Sequence, residues 1–239
     1  RVLDLAVDDD LDDRGPEIRR FKVRRSSGAI HVEDALTADE THRAMEAGAH
    51  VAGEEVRAGA QVLISGDMGI GNTTPAAALV AASLGLPAAE AAGRGTGIDD
   101  AAWEEKVAVI QAALDRAGGR VTDPVETLTA LGSADLAASV SFMVAAARAG
   151  VPVLLDGLMS LACAVVADRI APGAAAWFAA GHRSTEPAQS VALAKLGLEP
   201  LLDLGMRLGE GSGAVAAVPM LRSAVALMRD VALLSDLAL

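Results

Sequence analysis

Two glycine-rich segments of the chain have the composition of loops that bind phosphate. GDMGIGNTTP (66–75) follows an apolar run, and GRGTG (93–97) precedes a helical pattern. Glycines permit positive φ angles and let a ligand approach the backbone, while the free amides and the dipole of a helix start attract anions. The small and hydroxyl-bearing candidates for such contacts are Gly69, Gly71, Thr73, Thr74, Gly95, Thr96 and Gly97.

The first segment lacks the lysine of a nucleoside-triphosphate loop. Gly66 and Gly71 match the two glycines of GxxxxGK[ST], but Asn72 stands where the lysine would be. A triphosphate–magnesium site is therefore not expected, and a single phosphate is enough to explain the loop. Lys106 lies about two turns into the helix after the second segment, on a flank that could reach an anion. The alternative for both segments is an ordinary turn into a helix, with a surface lysine nearby.

Glu210 is the candidate for a general base. It lies in RLGEGSGA (207–214), where Gly209 and Gly211 give its carboxylate little shielding. A carboxylate that becomes buried beside an organic ligand gains a raised pKa, which suits general-base catalysis. The alternative is a solvated loop acid in front of a helix that begins near Ser212.

GHRSTEP (181–187) is a polar segment directly after an apolar run. Ser184 beside His182 could suggest nucleophilic catalysis, but neighbours in sequence rarely form a triad, and the chain has no GxSxG motif. A contact with a polar ligand or a helix cap is the favoured role for Ser184 and Glu186. No metal is expected, because metal-ligand spacing is absent among the four histidines, His31, His42, His50 and His182.

The composition limits the functions open to the 239-residue chain. Its net charge is −12 and its aromatic content is only 2%. Both values argue against nucleic-acid binding, because a protein that binds nucleic acid needs a cationic surface and usually aromatic rings that stack on bases. The basic run 18–25 follows the acidic run 6–13, and the two are expected to compensate each other. Cys163 stands alone in an apolar context, which predicts a buried thiol and fits a reducing cytoplasm.

Apolar runs predict strands, and alanine-rich patterns between them predict helices. Strands that are apolar on both faces and separated by helices form a mostly parallel sheet with helices on both faces, an α/β fold. The expected strands are 2–7, 60–65, 151–156 and 174–181. The expected helices are 37–58, a segment after Pro75, 100–117, 124–131, 134–149, 158–170, 187–196 and 213–234. Thr37 and Glu40 fit a capping box, and Asp99 or Asp100 is the expected cap of the helix at 100–117.

One α/β domain over 1–239 is expected, with a possible small helical lobe from about 14–58 plus 213–239. The longest apolar stretch, 151–167, contains Asp156 and Gly157 near its middle, so it predicts a buried strand running into a helix and no membrane span. Ligands of parallel sheets bind beyond the carboxyl ends of the strands, where the polar segments fall.

In this order, the motifs resemble the nicotinate-nucleotide–dimethylbenzimidazole phosphoribosyltransferase family. The resemblance covers the chain from about Ser27 to its end and rests on GDMGIGNTTPAAAL, GRGTGIDD, KVAVI, GVPVLLDG, GHRSTEP and LLDLGMRLGEGSGA. It implies a Rossmann-like parallel sheet with a small helical domain, in a homodimer. It also implies transfer of 5-phosphoribosyl from nicotinate mononucleotide to 5,6-dimethylbenzimidazole, without a cofactor or metal.

The resemblance assigns roles to individual residues. Glu210 corresponds to the general base of the family. The family's phosphate and ribose contacts correspond to three parts of this chain. These are the segment from Gly69 to Thr74, which includes Asn72, the segment Gly95–Gly97, and Lys106. The residues that would line the nucleotide side are Asp156, Gly157, Ser184 and Glu186.

Two departures from the family pattern stand out. Asp67, the remaining candidate for substrate contact, stands where the family usually has Glu, so its carboxylate reaches one methylene less. The family's N-terminal portion, which includes a loop that contacts the benzimidazole, is expected to be missing from the chain. A relative with another base or a phenol as acceptor, and a truncated nucleotide-binding homologue without catalysis, therefore stay as alternatives.

Overall fold

The computed structural model describes residues 1–95, 97–233 and 235. The strands within these ranges are β1 (Val153–Leu155), β2 (Phe178–His182) and β3 (Pro200–Leu202). Short 3₁₀-helices cover Gly118–Thr122 and Ala174–Trp177. The α-helices are α1 (Pro16–Arg19), α2 (Ala38–Arg57), α3 (Thr73–Leu84), α4 (Ala88–Ala91), α5 (Asp100–Ala117), α6 (Pro124–Leu131), α7 (Ala134–Arg148), α8 (Leu158–Ile170), α9 (Pro187–Leu196) and α10 (Ser212–Asp230).

The strands form a parallel sheet in the order β1-β2-β3. Val153 pairs with Phe178, and Ala180 pairs with Pro200. Leu63 extends the sheet beyond β1 by a single parallel bridge to Val153. Because the strands are parallel, the loops that leave them gather at one edge, which is where such sheets bind ligands.

Helices cover both faces of the sheet. Val153 and Leu155 belong to the main core, where α7 and α8 pack against β1. Leu154 points to the opposite face and packs with Ala214 and Ala217 of α10. The predicted Rossmann-like α/β fold is thereby confirmed, and the first turn of α10 lies directly against the sheet.

Several helices begin where the sequence predicts a cap. The Thr37 side chain accepts a hydrogen bond from the Glu40 amide, and the Glu40 carboxylate accepts one from the Thr37 amide, so α2 begins with a capping box. Asp99 accepts from the amide of Ala102 at the start of α5. These caps stabilise α2 and α5, both of which contribute residues to the main core.

The later helices agree with their predicted bounds. The predictions over 158–170 and 187–196 are confirmed by α8 and α9. The final helix, expected over 213–234, covers Ser212–Asp230. Leu234, the predicted last residue of that helix, lies outside the described residues.

The prediction of a strand at 2–7 is wrong. The segment has no regular structure, because the Lys22 ammonium group donates to the carboxylate of Asp4 and to the carbonyl of Val7 and holds the chain in a bend. Val2 and Val7 stay 67% and 48% exposed. An apolar run forms a strand only where a neighbouring strand pairs with it, and this run has no such neighbour in the described sheet.

The other strand predictions need smaller corrections. The strand expected at 60–65 is reduced to the bridge at Leu63, because the chain enters its glycine-rich loop immediately afterwards. The strand expected at 174–181 begins with a 3₁₀ turn and is regular only over Phe178–His182. β3 escaped prediction because it has three residues and begins with a proline, which cannot donate to a ladder.

The charged runs near the start compensate each other, as expected. They are joined by the ion pairs Asp10–Arg25 and Asp12–Arg19, and the Lys22 ammonium group donates to the carbonyl of Asp9. α2 packs along α7, and its Ala44 belongs to the main core. The division into one domain and a small helical lobe stays a prediction.

Cys163 is a free and buried thiol. No helix over 1–95, 97–233 and 235 is long and apolar enough to cross a membrane. In the same part of the chain, no group of His, Cys, Asp or Glu side chains has an arrangement that could hold a metal ion.

Candidate active site

A cleft opens at the carboxyl edge of the sheet, where two distant motifs meet. A Cβ atom added to Gly66 would lie 2.6 Å from the carbonyl oxygen of Glu210, so only glycine lets the two loops touch. This contact brings the segment 66–75 against the segment 207–214. The cleft is lined by Ser65, Asp67, Leu136, Ser139, Asp156, Gly157, Met159, Ser160, Cys163 and Glu210.

The N-terminus of α3 presents unused hydrogen-bond donors to this edge. Its N-cap is Asn72, which makes no side-chain capping bond. Within the described chain, no acceptor faces the backbone amides of Gly69, Gly71, Asn72 or Thr73, whereas Thr74 donates to the carbonyl of Gly71. Open amides at the positive end of a twelve-residue helix are suited to an anionic ligand.

Lys106 of α5 reaches the same helix start. Its Nζ donates to Thr73 Oγ1 over 3.1 Å and to the Gly93 carbonyl over 2.9 Å. Burial lowers the pKa of Lys106, and the nearby negative charge of Glu186 partly offsets this effect. An ammonium group has three N–H donors, so one is left for a ligand beside the open amides.

The Glu186 carboxylate contacts the second glycine-rich loop, 93–97, at Gly93 and Gly95. Its Oε1 accepts from the Gly95 amide at 2.7 Å, and a Cβ on Gly93 would collide with its Oε2. Glu186 is buried, and its Oε2 has no hydrogen-bond partner among the described residues. Ser184 lies next to it, and its Oγ accepts from the Glu186 amide over 3.4 Å.

The second loop depends on glycine conformations. Gly95 and Gly97 have φ angles of +54° and +120°, which side-chain-bearing residues rarely adopt. Thr96 lies outside the described residues. Arg207, which the sequence analysis did not single out, donates from Nη2 to the Gly95 carbonyl over 3.0 Å and so ties this loop to the segment that carries Glu210.

Glu210 occupies the centre of a left-handed turn. The φ angles of Gly209, Glu210 and Gly211 are +79°, +61° and +87°. For a residue with a Cβ this conformation costs about 1–3 kcal/mol, so the surrounding structure must hold it. The Glu210 side chain is exposed and lines the cleft. Such strain is typical of residues at functional sites.

Asp156 lies buried beneath that turn, directly after β1. Its Oδ2 accepts from the Gly211 amide at 3.0 Å, and its Oδ1 accepts from the Ala214 amide at 2.9 Å. Burial opposes its ionisation, but the adjacent His182 and the two amides outweigh burial and lower the pKa of Asp156. Gly157 follows as the N-cap of α8 and lines the cleft.

Two buried side chains that were not predicted as site residues support this region. His182 is 1% exposed, and its Nε2 lies 3.4 Å from Asp156 Oδ1. Gln189 donates to the carbonyls of Asp156 and His182 and accepts from the Ser184 amide. The available signal for Gln189 was its position between apolar residues on the inner face of α9.

Asp67 forms a carboxyl pair with Asp135 in the first turn of α7. Burial, together with the charge and hydrogen bond of Asp135, raises the pKa of Asp67 to about 8. Asn72 Nδ2 donates to Asp67 Oδ2 over 2.8 Å and opposes this shift. At neutral pH the pair therefore retains a proton. Asp135 was missed, although an acid between the buried residues Ala134 and Leu136 was a visible signal.

The arrangement separates two kinds of chemistry within one edge of the sheet. One side offers open amides and an ammonium group, which suit a phosphate. The other side offers the Glu210 carboxylate, which can accept a proton, next to the Asp67 carboxyl group, which keeps its own proton at neutral pH.

Comparisons with known proteins relate the chain to one family. A family model described as Phosphoribosyltransferase matches residues 1–237. The nicotinate-nucleotide–dimethylbenzimidazole phosphoribosyltransferase of Mycolicibacterium paratuberculosis is 56% identical over 233 residues, which are 97% of this chain and 66% of that protein. The enzyme of the same name from Mycobacterium ulcerans is 51% identical over 236 residues, 99% of this chain and 65% of that protein.

Solved structures agree. The crystal structure of CobT from Thermus thermophilus has a TM-score of 0.91 and 40% identity, and the match covers 95% of this chain and 68% of that one. A structure of nicotinate-nucleotide–dimethylbenzimidazole phosphoribosyltransferase from the same organism has a TM-score of 0.81 and 40% identity. That match covers 87% of this chain and 61% of the other. The chain thus spans about two thirds of the length of these curated relatives.

Proposed function

The chain belongs to the nicotinate-nucleotide–dimethylbenzimidazole phosphoribosyltransferase family, and on that premise we propose that it is a pentosyltransferase that acts on nicotinate mononucleotide. It moves the 5-phosphoribosyl group to 5,6-dimethylbenzimidazole and gives α-ribazole 5′-phosphate and nicotinate. The observation that carries the proposal is the contact of Gly66 with Glu210, which joins a phosphate-type loop to a carboxylate-bearing turn at one cleft.

The phosphate of the donor binds at the start of α3. The open amides between Gly69 and Thr73 face this position, and Lys106 adds a charge-assisted hydrogen bond beside Thr73. Gly95 and Gly97 let the second loop approach the ribose closely, while Ser184 and Glu186 support that loop at the nucleotide side.

Glu210 removes the proton of the acceptor. The C1′–N bond to nicotinate breaks as a ring nitrogen of the benzimidazole forms a new bond to C1′. The pyridinium takes the bonding electron pair and leaves as neutral pyridine nitrogen, and the benzimidazole N–H proton passes to the Glu210 carboxylate. The leaving group already carries positive charge, so holding both partners in line supplies much of the acceleration.

The carboxyl pair of Asp67 and Asp135 stabilises positive charge that develops on the ribose. Because the raised pKa of Asp67 keeps its carboxyl group protonated near neutral pH, its repulsion with Glu210 is limited. The shorter Asp67 keeps a carboxyl group at this position and sets it one methylene further from the sugar than a Glu would. We also propose a homodimer in the cytoplasm, as the family resemblance implies.

Incubation of the full-length protein with nicotinate mononucleotide and dimethylbenzimidazole tests the proposal. Release of nicotinate that requires the benzimidazole is the expected result. Turnover only with another base or a phenol would favour a relative with a different acceptor. Binding of the mononucleotide without any release would favour a homologue that binds nucleotide without catalysis, and release without an acceptor would indicate a hydrolase.

A further inference from the structure

The buried carboxylate of Asp156 is fully engaged with the protein's own backbone. It sits at the end of β1 and reaches across 55 and 58 residues of sequence to the amides of Gly211 and Ala214. Asp156 is 3% exposed, and each of its oxygens accepts one of these bonds. It therefore fastens the N-terminus of the nineteen-residue helix α10 to the sheet.

The turn in front of α10 needs such a fastening. Glu210 has a φ angle of +61°, between two glycines whose backbones can adopt many other conformations. The intrinsic preference of a residue with a Cβ is to leave the left-handed region. Relaxation of the turn would swing the Glu210 carboxylate away from the cleft, so an external constraint has to fix it.

His182 backs the carboxylate from the neighbouring strand. Its ring lies against the first turn of α10 so closely that a Cβ on Gly213 would stand 2.0 Å from its Cδ2. Its Nε2 lies 3.4 Å from Asp156 Oδ1. Gln189 holds the carbonyls of both residues, which fixes the ends of β1 and β2 relative to each other.

We propose that Asp156, backed by His182, is a positioning residue that holds the left-handed turn 209–211 and thereby aims Glu210 at the acceptor. This inference rests on the proposed function and gives Asp156 a role other than contact with the substrate. A carboxylate is suited to the task because charge-assisted bonds to two amides at a helix N-terminus are stronger than neutral ones.

A double-mutant cycle in the full-length protein tests the proposal. Asp156→Asn keeps the shape but can accept with only one oxygen, and we expect kcat to fall by about 10–100-fold, because a misplacement of about 1 Å costs that much. The KM for nicotinate mononucleotide should stay within about 3-fold. In the Glu210→Gln background the same change should cost less than about 3-fold, since its target is already absent. Additive losses would overturn the proposal.

Asp168→Asn is the matched control. Asp168 also accepts from two backbone amides, those of Gly173 and Ala175, but it lies away from the cleft. Its replacement should leave kcat unchanged. If Asp156→Asn does not fold, His182→Gln replaces it in the cycle, with a loss of about 10-fold in kcat expected and the same lack of additivity.

Hydrogen exchange separates this proposal from the transferase proposal. Exchange of the amides in the peptide that contains residues 209–214 should become at least about 10-fold faster in Asp156→Asn and not in Asp168→Asn. If the wild-type protein releases no nicotinate, the transferase proposal fails and this measurement still decides the positioning role. Unchanged exchange would refute the role of Asp156 whatever the enzyme assay shows.

Discussion

The helices α3 and α10 both begin at the cleft, but their N-termini are in opposite states. At α3 the amides of Gly69, Gly71, Asn72 and Thr73 have no acceptor within the part of the chain that the structure describes. At α10 the amide of Gly211 and, in the first turn, that of Ala214 donate to Asp156. One helix start is open to a ligand, and the other is closed by a side chain of the protein.

The difference shows how two similar sequence motifs reach different functions. Both helices follow glycine-rich segments, and either N-terminus could attract an anion. Of these two helices, α10 is the one whose described N-terminus receives an internal anion, and we propose that this anion fixes the Glu210 turn. At α3 the chain supplies a cation instead, the Lys106 ammonium group, which stands beside Thr73 and strengthens the attraction for an external anion. In the proposed function, the open terminus binds the substrate phosphate and the closed one supports the catalytic turn.

The largest effect on the rate is expected at the closed N-terminus, that of α10. Glu210→Gln removes the proton acceptor and should lower kcat by about 10²–10⁴-fold, the usual contribution of a general base. The KM for nicotinate mononucleotide should change little, because the proposed phosphate site lies at α3. Steady-state rates of nicotinate release measure both constants.

Glu199→Gln serves as the control for that experiment. Glu199 is an exposed glutamate in the loop before β3, and its replacement should leave the rate unchanged. A Glu210→Gln enzyme with near-wild-type kcat would remove Glu210 from the chemistry. The proposed contrast between a binding N-terminus at α3 and a catalytic turn at α10 would then be wrong.

A smaller effect is expected on the open side. Lys106→Met keeps the apolar stem but removes the charge beside Thr73, and it should raise the KM for nicotinate mononucleotide by about 10–100-fold, the value of one charge-assisted hydrogen bond. kcat at saturation should fall much less. Titration calorimetry with the mononucleotide measures the loss directly, and Lys195→Met, at an exposed position on α9, is the control.

An outcome in which Lys106→Met lowers kcat and leaves KM unchanged would reverse this assignment. It would mean that the ammonium group acts on the transition state and contributes little to ground-state binding.

The sequence alone predicts the parts of this molecule that depend on local rules. The capping box of Thr37 and Glu40 and the cap at Asp99 follow from residue types at fixed spacing, and they set the bounds of α2 and α5. The parallel sheet between helices follows from runs that are apolar on both faces. The strand expected at 2–7 fails because pairing is not local: the run bends around Lys22.

The contact that closes the N-terminus of α10 could not be predicted from the sequence, because it also joins residues that are far apart along the chain. Asp156 and Ala214 are separated by 58 residues, and no spacing rule links a strand end to a helix that distant. Asp156 was therefore expected on the nucleotide side. His182 was considered only as a partner of Ser184, whereas its ring lies against the helix start. Four of the residues that the motifs single out line the cleft, namely Asp67, Asp156, Gly157 and Glu210. The proposed division into binding and supporting roles depends on contacts between distant elements.

The smallest expected effect tests the carboxyl pair beside the open terminus. Burial and Asp135 raise the pKa of Asp67 to about 8 from the ordinary value of 3.8, so the folded protein retains a proton that the unfolded chain releases. The stability that this proton supports is full below pH 3.8 and is lost as pH rises through about 8. Asp67→Asn cannot ionise, so its Tm minus that of the wild type should increase steadily as pH rises from about 4 to about 8.5. Asp67→Glu keeps an ionisable group and should follow the wild-type trend. A Tm difference for Asp67→Asn that stays constant with pH would show that the pair is not the site of the buried proton, and Asn72 would then be holding an ionised Asp67 next to the binding amides of α3.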